Sequence, residues 1–252
     1  MYAETEGIVL KQTKTINGRR MVLLFSRKYG KISAGTSLAD RGKSGHALAL
    51  RPFTLGKYGL YKNRDTYNIS SAEVLKAYYK IGEDIEKYMC ASFALEFAEK
   101  LLPEEAHDAE IFKLLLDFFD VMESRKKEYM TAVIAFQLKA VQSAGAAPEV
   151  GKCVRCGEKD MLHYFSVTEG GTLCRRCQSV AEDKSVNNRL IYSMEFDIVE
   201  ALRYFLGNSF KSIEHIALNE NVMIKLREIA GEYCAYHLGI KDLLSGEFLK
   251  SI

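Results

Sequence analysis

The chain has 252 residues, of which 48% are hydrophobic and 27% are charged. This length and composition allow one large domain or two modest ones with real cores, and they exclude an intrinsically disordered chain. The formal net charge of +2 conceals a division, because residues 1–70 carry thirteen lysines and arginines against four carboxylates, a net charge of +9, which leaves −7 for the remainder. Such asymmetry indicates an anionic partner for the first segment.

The first residues, 1–6, are acidic and lack the basic and then apolar pattern of a secretory signal. No stretch approaches the roughly 20 apolar residues that a membrane helix needs. We therefore expect a cytosolic protein with no membrane partner. In that compartment clustered cysteines more often hold metal than form disulfides.

Residues 1–80 contain short apolar runs separated by turn signals, which predicts five β-strands. The runs are 7–10, 21–25, 32–34, 48–60 and 67–69. Asn17-Gly18 is typical of a tight hairpin between the first two strands, because both residues tolerate positive φ. Gly56 and Gly59 would let a long fourth strand bend, as small barrels require. The pattern predicts a five-stranded, partly open barrel of the OB type.

After residue 80 the apolar residues follow a helical period. A first helix is predicted along the row Ile85, Met89, Phe93, Phe97 and Leu101, and Pro103 ends it. Further helices are predicted from Asp108 and over 129–143, 194–206 and 222–238. These segments are typical of a helical bundle with short connections.

The helices are interrupted by two cysteine pairs, Cys153-x2-Cys156 and Cys174-x2-Cys177, separated by residues 157–173. This spacing falls within the range of zinc sites, because each turn aims two thiolates at one point and two turns complete a tetrahedron. A closed four-thiolate shell leaves no coordination position for water, so one structural Zn²⁺ is expected. The alternatives are four reduced thiols, two redox pairs, or His163 in place of one thiolate.

The predicted fold class is therefore α+β and multidomain. An N-terminal OB-fold β-barrel that binds nucleic acid takes residues 1–80, and an α-helical bundle domain takes 81–150 and 182–252. The zinc-binding module, 151–181, is inserted within the helical domain.

Residues 35–44 resemble a phosphate-binding loop that ends in Gly42-Lys43-Ser44. That motif has four residues between its glycines and opens a helix, whereas here there are six and 48–60 is predicted to be extended. We interpret the segment around Arg41 and Lys43 as a basic loop that contacts phosphates. A nucleotide-dependent enzyme that uses Lys43 stays an alternative, but no other catalytic motif occurs, and the sequence predicts no enzyme.

Basic residues in the first segment are interleaved with aromatic residues, a combination that fits single-stranded nucleic acid on an OB-like barrel. Cations would contact the phosphates, and aromatic faces would accept stacked bases. For each aromatic residue taken singly, however, a place in the barrel core is the favoured interpretation. The predicted DNA-binding residues are Lys11, Arg19, Arg20, Arg27, Lys28, Lys31, Arg41, Lys43, Arg51 and Lys57. The aromatic residues are Tyr2, Phe25, Tyr29, Phe53, Tyr58, Tyr61 and Tyr67.

Several segments in order resemble the bacterial RecO family of recombination mediators. The segments are 7–11, 23–32, 42–44, 50–53, 72–74, 145–148, and the two cysteine pairs with Gly157 and Gly170-Gly171. The resemblance is collinear over residues 1 to about 180. It departs from the family pattern at Arg19, where an acidic residue is usual, and over 36–41, which is less basic.

The resemblance implies an N-terminal OB-fold, a helical C-terminal domain and a zinc module. It implies a cytoplasmic, nucleoid-associated protein in DNA repair that binds single- and double-stranded DNA, anneals complementary strands and, with RecR, helps load RecA onto DNA coated by single-strand-binding protein. The acidic C-terminal tail of that protein would dock on the helical domain. A zinc-containing adaptor that binds proteins but no DNA is the alternative function.

Overall fold

The computed structural model describes residues 2–14, 20–38, 45–63, 66–182, 190–194 and 196–249. The chain forms two compact units, Met1–Glu123 with Leu243–Ile252 and Ser124–Asp242. The helices are α1 (Gly45–Ala49), α2 (Tyr79–Glu83), α3 (Ile85–Leu101), α4 (Ala109–Ser124), α5 (Tyr129–Ser143), α6 (Arg175–Glu182), α7 (Phe196–Gly207), α8 (Glu220–Leu238) and α9 (Leu244–Leu249).

Five strands close into a barrel in the first unit. They are β1 (Tyr2–Lys14), β2 (Arg20–Ser26), β3 (Gly30–Thr36), β4 (Thr54–Asn63) and β5 (Thr66–Ala77). Their order around the barrel is β1-β2-β3-β5-β4, and β1 pairs with β4 to close it. Only β3 and β5 pair in parallel. The five-stranded OB-fold is confirmed, but the barrel is closed rather than partly open.

The barrel interior is filled by side chains from all five strands and from the segment that follows β3. Alternate residues along each strand face inward, as the period-2 pattern requires. The buried cluster comprises Val9, Val22, Leu24, Ile32, Ala34, Ala49, Leu50, Tyr58, Leu60, Ile69 and Ala72. Burying each large aliphatic or aromatic side chain of this kind stabilises the fold by about 1.5–3 kcal/mol.

The first two strands pair antiparallel from Gly7 with Ser26 to Lys14 with Arg20, as the hairpin prediction requires. The turn residues Asn17 and Gly18 lie outside the described residues. At the two glycines of β4, the register against β5 shifts between Leu55 and Gly56 and again between Gly59 and Leu60. Bulges of this kind are where strands in small barrels bend.

The prediction that the fourth strand begins at Leu48 is wrong. Residues 45–49 form α1, and β4 begins at Thr54 after a turn in which Phe53 has φ +58°. Ala49 and Leu50 are buried in the barrel cluster, and the Tyr58 hydroxyl donates to the Ala49 carbonyl oxygen at 2.5 Å. An apolar run of this length reads alike for a buried strand and a short helix.

The first long helix after the barrel, α3, runs from Ile85 to Leu101, as the row of apolar residues predicts. The Asp84 carboxylate caps it by accepting from the backbone N–H groups of Glu86 and Lys87 at 2.9 and 3.1 Å. Within the row, Phe93 and Phe97 are buried, whereas Ile85 is 71% exposed. Ile85 is the first residue of α3, and it follows the mostly exposed residues of α2.

In the second unit α5 is buried along almost its entire length and packs against α7 and α8. Its bounds are those predicted, and Gly145 at φ +76° follows its end. The predicted helices over 194–206 and 222–238 are confirmed as α7 and α8 with ends shifted by one or two residues. Gly239 at φ +67° ends α8.

A small sheet in the second unit was not predicted. Its strands are β6 (Leu162–Ser166), β7 (Gly171–Cys174) and β8 (Ile191–Ser193), in the antiparallel order β7-β6-β8. The spacer between the two cysteine pairs therefore contains a β-hairpin, and the second pair lies where β7 passes into α6.

Candidate metal centre and nucleic-acid interface

Four cysteine sulfurs converge in the second unit. The Sγ atoms of Cys153, Cys156, Cys174 and Cys177 all lie within 4.8 Å of one another, and those of Cys156 and Cys174 are 3.7 Å apart. A tetrahedral Zn²⁺ with bonds of about 2.3 Å separates its sulfurs by roughly 3.8 Å. The observed spacing and donor set therefore fit a four-thiolate metal centre.

Backbone hydrogen bonds hold the first cysteine pair in a tight turn. The Cys153 N–H donates to the Glu158 carbonyl oxygen at 2.7 Å, and the Gly157 N–H donates to the Cys153 carbonyl oxygen at 2.9 Å. Gly157 has φ +76°, a conformation that side chains disfavour. The sequence therefore needs glycine directly after the pair for this turn to form.

The second pair is tied to the first through Glu149 and Thr172. The Glu149 carbonyl oxygen accepts from the Thr172 N–H at 2.8 Å, and the Thr172 carbonyl oxygen accepts from the Val154 N–H at 2.9 Å. A Cβ on Gly171 would lie 2.3 Å from the Glu149 carbonyl oxygen, so only glycine allows this close approach.

The electrostatics of the cluster favour thiolates at the first pair. Burial opposes ionisation of Cys153, but the backbone N–H groups of Cys174, Cys156 and Arg155 outweigh it and lower the pKa of Cys153 to about 6. The Glu158 N–H also lowers the pKa of Cys156. Burial and the neighbouring sulfurs raise the pKa of Cys177 to about 12. A bound divalent cation would favour the thiolate at all four positions.

Two arginines that the sequence reasoning missed lie beside the sulfurs. Arg155 donates two hydrogen bonds to the Glu169 carboxylate, Nε to Oε2 at 2.6 Å and Nη2 to Oε1 at 2.7 Å. A hydrogen bond with the Cys156 sulfur raises the pKa of Arg176. Both arginines stand inside the Cys-x2-Cys pairs, which was the available signal, since groups that surround metal ligands orient and stabilise them.

Of the predicted DNA-binding residues, Arg19, Arg41 and Lys43 lie outside the described residues. The other seven belong to the first unit. Among these seven, the Arg27 Nε lies 2.8 Å from Glu6, the Lys57 Nζ 2.7 Å from Glu4 and the Lys11 Nζ 3.6 Å from Glu99, while the Lys31 Nζ donates to the Glu99 carbonyl oxygen at 2.7 Å. Hydrogen bonding and the charge of Glu4 raise the pKa of Lys57.

These contacts divide the basic residues into groups. Arg27 and Lys57 form ion pairs with Glu6 and Glu4, two carboxylates of β1. Lys11 and Lys31 both contact Glu99 of α3. Arg20 is 9% exposed. Lys28 and Arg51 are exposed and have no ion-pair partner among the described residues.

The aromatic residues of the barrel divide between core and surface. Phe25, Phe53 and Tyr58 are buried, as expected for most of the set, and Tyr29 and Tyr67 pack against the core with ring centroids 6.0 Å apart. Tyr2 and Tyr61 are cross-strand partners and are 62% and 43% exposed. They are the members of the predicted set best placed to stack on bases.

Comparison with known proteins covers almost all of the chain. A family model described as "Recombination protein O N terminal" matches residues 1–78, and one described as "Recombination protein O C terminal" matches residues 82–246. The chain belongs to the RecO family.

Curated relatives named "DNA repair protein RecO" match this RecO-family chain over most or all of its length. The relative from Alkaliphilus metalliredigens is 28% identical over 255 residues, with 100% of each chain covered. The relative from Caldanaerobacter subterraneus subsp. tengcongensis is 28% identical over 247 residues, covering 98% of this chain and 97% of the relative. The relative from Oceanobacillus iheyensis is 31% identical over 179 residues, covering 70% and 68%. The chain is thus a RecO-family DNA repair protein, as the resemblance implied.

One argument about the phosphate-loop resemblance changes. The segment after Ser44 is helical, so the expectation that an extended segment follows is wrong, while the six-residue spacing still departs from the nucleotide-binding motif. Residues 39–44 themselves lie outside the described residues. Within the described ranges of this RecO-family chain, none of the helices has the length and apolar character needed to cross a membrane.

Proposed function

We propose that this RecO-family protein binds single- and double-stranded DNA and anneals complementary strands. The observation that carries the proposal is the family match across the chain, combined with a closed OB barrel that bears exposed cations. OB-folds accept nucleic acid through basic grooves and aromatic side chains. Covalent catalysis plays no part in this function.

The proposed mechanism is electrostatic. Lys28 and Arg51, which have no ion-pair partner among the described residues, can meet phosphates directly, whereas Arg27 and Lys57 must exchange the carboxylates of Glu6 and Glu4 for phosphate oxygens. The remaining members of the set are Lys11, Arg19, Arg20, Lys31, Arg41 and Lys43. Arg20 is only 9% exposed, so its side chain would have to move outward to join these contacts. Neutralising phosphates on two strands lowers their mutual repulsion and so favours pairing.

The four-cysteine cluster is proposed to hold one structural Zn²⁺ through Cys153, Cys156, Cys174 and Cys177. When bound, the ion would neutralise the thiolates and fix the loop before α6, and it would have no open position for chemistry. The chain is proposed to comprise the OB domain 1–80, the helical domain 81–150 with 182–252, and the zinc module 151–181.

The helical domain is proposed to take the protein partners. RecR would act with this protein to load RecA onto DNA coated by single-strand-binding protein, whose acidic C-terminal tail would dock on the helices. The setting is the bacterial cytoplasm, in association with the nucleoid.

Oligonucleotide binding by the full chain at about 50 and about 200 mM salt tests the proposal. Affinity should fall by orders of magnitude if six or more phosphates are contacted. A flat salt response would refute the electrostatic mechanism. No binding to either single strands or duplex would favour the adaptor function instead.

Metal analysis of reduced protein tests the zinc assignment separately. One equivalent of zinc per chain is expected. A content far below one equivalent, in protein purified without chelator, would overturn the assignment and leave the cluster as reduced thiols or redox pairs.

A further inference from the structure

An apolar pocket in the first unit lies beside the start of β4. Its cavity is about 340 Å³, and it is lined by residues of the α1–β4 connection, the end of β5, α2 and α3. The lining includes Arg51, Phe53, Tyr78, Tyr79 and Tyr88. Tyr78, Tyr79 and Tyr88 are not among the aromatic residues that the sequence pattern predicts to stack on bases.

The aromatic residues form a buried floor and an exposed rim. Phe53 and Tyr78 are buried, at 6% and 4% exposed, whereas Tyr79 and Tyr88 are 62% and 43% exposed. The Phe53 ring meets the Tyr88 ring edge-on with centroids 5.3 Å apart. Large aromatic surfaces left in water beside a cavity are typical of a binding site for a flat apolar group.

The backbone of the floor is held in an unusual conformation. Phe53 has φ +58°, which a bulky side chain rarely adopts, and its carbonyl oxygen accepts from the Tyr78 N–H at 3.1 Å. This bond joins the turn before β4 to the turn before α2. Positive φ at such residues persists where surrounding structure imposes it, and it is concentrated at binding sites.

Arg51 supplies the charge of the pocket. It is the sole charged side chain among the described residues that line the cavity, it is exposed, and no described carboxylate pairs with it. A cation at the mouth of an aromatic cavity complements a ligand that joins a flat ring to an anion. A nucleotide unit of a DNA strand has both parts.

We propose that this pocket receives one nucleobase of single-stranded DNA, with Tyr79 and Tyr88 contacting the base and Arg51 neutralising an adjacent phosphate. The inference rests on the proposed DNA-binding function and adds a basis for strand preference. A base inside a duplex is stacked and paired, so it cannot enter the pocket without being flipped out. The tyrosine contacts to the base therefore contribute to affinity for single strands only.

Aromatic substitutions in the full chain test the pocket. The probes are a fluorescent oligothymidine longer than the roughly 16 nucleotides that an OB-fold occupies at most, and a duplex of equal length. Tyr79→Ala with Tyr88→Ala should weaken oligothymidine binding by about fivefold or more, because base stacking contributes about 1–3 kcal/mol per base. Duplex affinity should stay within about twofold of the parent. Tyr236→Ala, a 55% exposed tyrosine of the second unit, is the matched control.

Conservative variants separate stacking from general apolar contact. Tyr79→Phe keeps the ring and should retain oligothymidine affinity, whereas Tyr79→Leu should lose it. Arg51→Gln should reduce the slope of log affinity against log salt by about one contact, and the tyrosine variants should leave that slope unchanged. Thermal melting of each variant confirms that the fold is intact.

The outcomes distinguish the two proposals. If the parent protein binds neither probe, the proposed function fails and the pocket inference fails with it. If the parent binds both probes and the tyrosine pair leaves oligothymidine affinity unchanged, only the pocket inference is overturned, and the pocket takes an apolar side chain of a protein partner or no ligand. Equal losses on single strands and duplex would also overturn it.

Discussion

Removing two carboxylates from β1 should strengthen DNA binding. Glu6 and Glu4 hold the Arg27 Nε at 2.8 Å and the Lys57 Nζ at 2.7 Å, so these cations are occupied in the free protein. Glu4→Gln with Glu6→Gln releases both cations and keeps the size and shape of the side chains. The pairs are exposed, so their loss should cost less than about 1 kcal/mol of folding free energy each.

The magnitude follows from the number of cations released. Each additional phosphate neutralised at about 0.15 M salt contributes roughly fivefold to duplex affinity and roughly fourfold to single-strand affinity through counterion release. Two cations therefore give an increase of up to about 25-fold on duplex and about 15-fold on single strands. Each single variant should show about the square root of that gain.

Fluorescence anisotropy of labelled oligonucleotides at about 0.15 M salt measures the effect. Glu200→Gln is the matched control, since it removes the same charge from an ion pair, with Arg203 at 2.8 Å, in the second unit. Affinity that stays unchanged or falls in the Glu4 and Glu6 variants would refute the reasoning and remove Arg27 and Lys57 from the proposed contacts.

Three further variants test the fold and the metal centre. Cys156→Ser should lower the zinc content measured by metal analysis and reduce the melting temperature, whereas Cys90→Ala, which alters a buried thiol outside the cluster, should leave zinc bound. Gly30→Ala should destabilise the first unit by more than about 1 kcal/mol in denaturant unfolding, because Gly30 has φ +66° and a Cβ would lie 2.1 Å from the Ala106 carbonyl oxygen. A variant as stable as the parent would show that the backbone at Ala106 can move to accommodate the methyl group. Glu96→Gln should cost about 1 kcal/mol, because the Glu96 carboxylate accepts from the backbone N–H groups of Leu244 and Ser245 at 2.9 and 2.8 Å. Burial raises the pKa of Glu96, but the hydrogen bonds from Ser245 and Leu244 outweigh burial and lower the pKa overall. The stabilisation is therefore present above the ordinary carboxyl pKa and is lost as pH falls through the lowered pKa. Equal acid sensitivity of the parent protein and the variant would contradict this.

The four-cysteine cluster could be predicted from sequence because its geometry is local. Two residues between cysteines fix one turn, and Gly157 supplies the backbone conformation that the turn needs. The fold of the spacer could not be read in the same way, because β6 and β7 are short and their pairing depends on contacts across the sheet. The helix over 129–143 was found with its true ends because it is long and Gly145 follows it.

The proposed DNA interface is the harder part of the site to predict. A count of charges does not show that Arg27 faces Glu6, since that contact depends on the strand order and on the path of the turn after β2. The five-residue α1 was read as strand, because an apolar run so short has no period of its own. The sequence pattern of the barrel does not point to Tyr79 and Tyr88, because they lie beyond its strands and line one cavity with Arg51 only in the folded chain.

Annealing of two complementary oligonucleotides by the full chain is the most direct test of the proposed function. The electrostatic mechanism predicts that the protein accelerates pairing at about 50 mM salt, and that this acceleration is largely lost at about 200 mM as counterions compete for the phosphates. The Glu4→Gln and Glu6→Gln variant should retain acceleration to higher salt than the parent. Pairing at the rate of the buffer alone, under conditions where zinc-loaded protein is folded, would contradict the proposal.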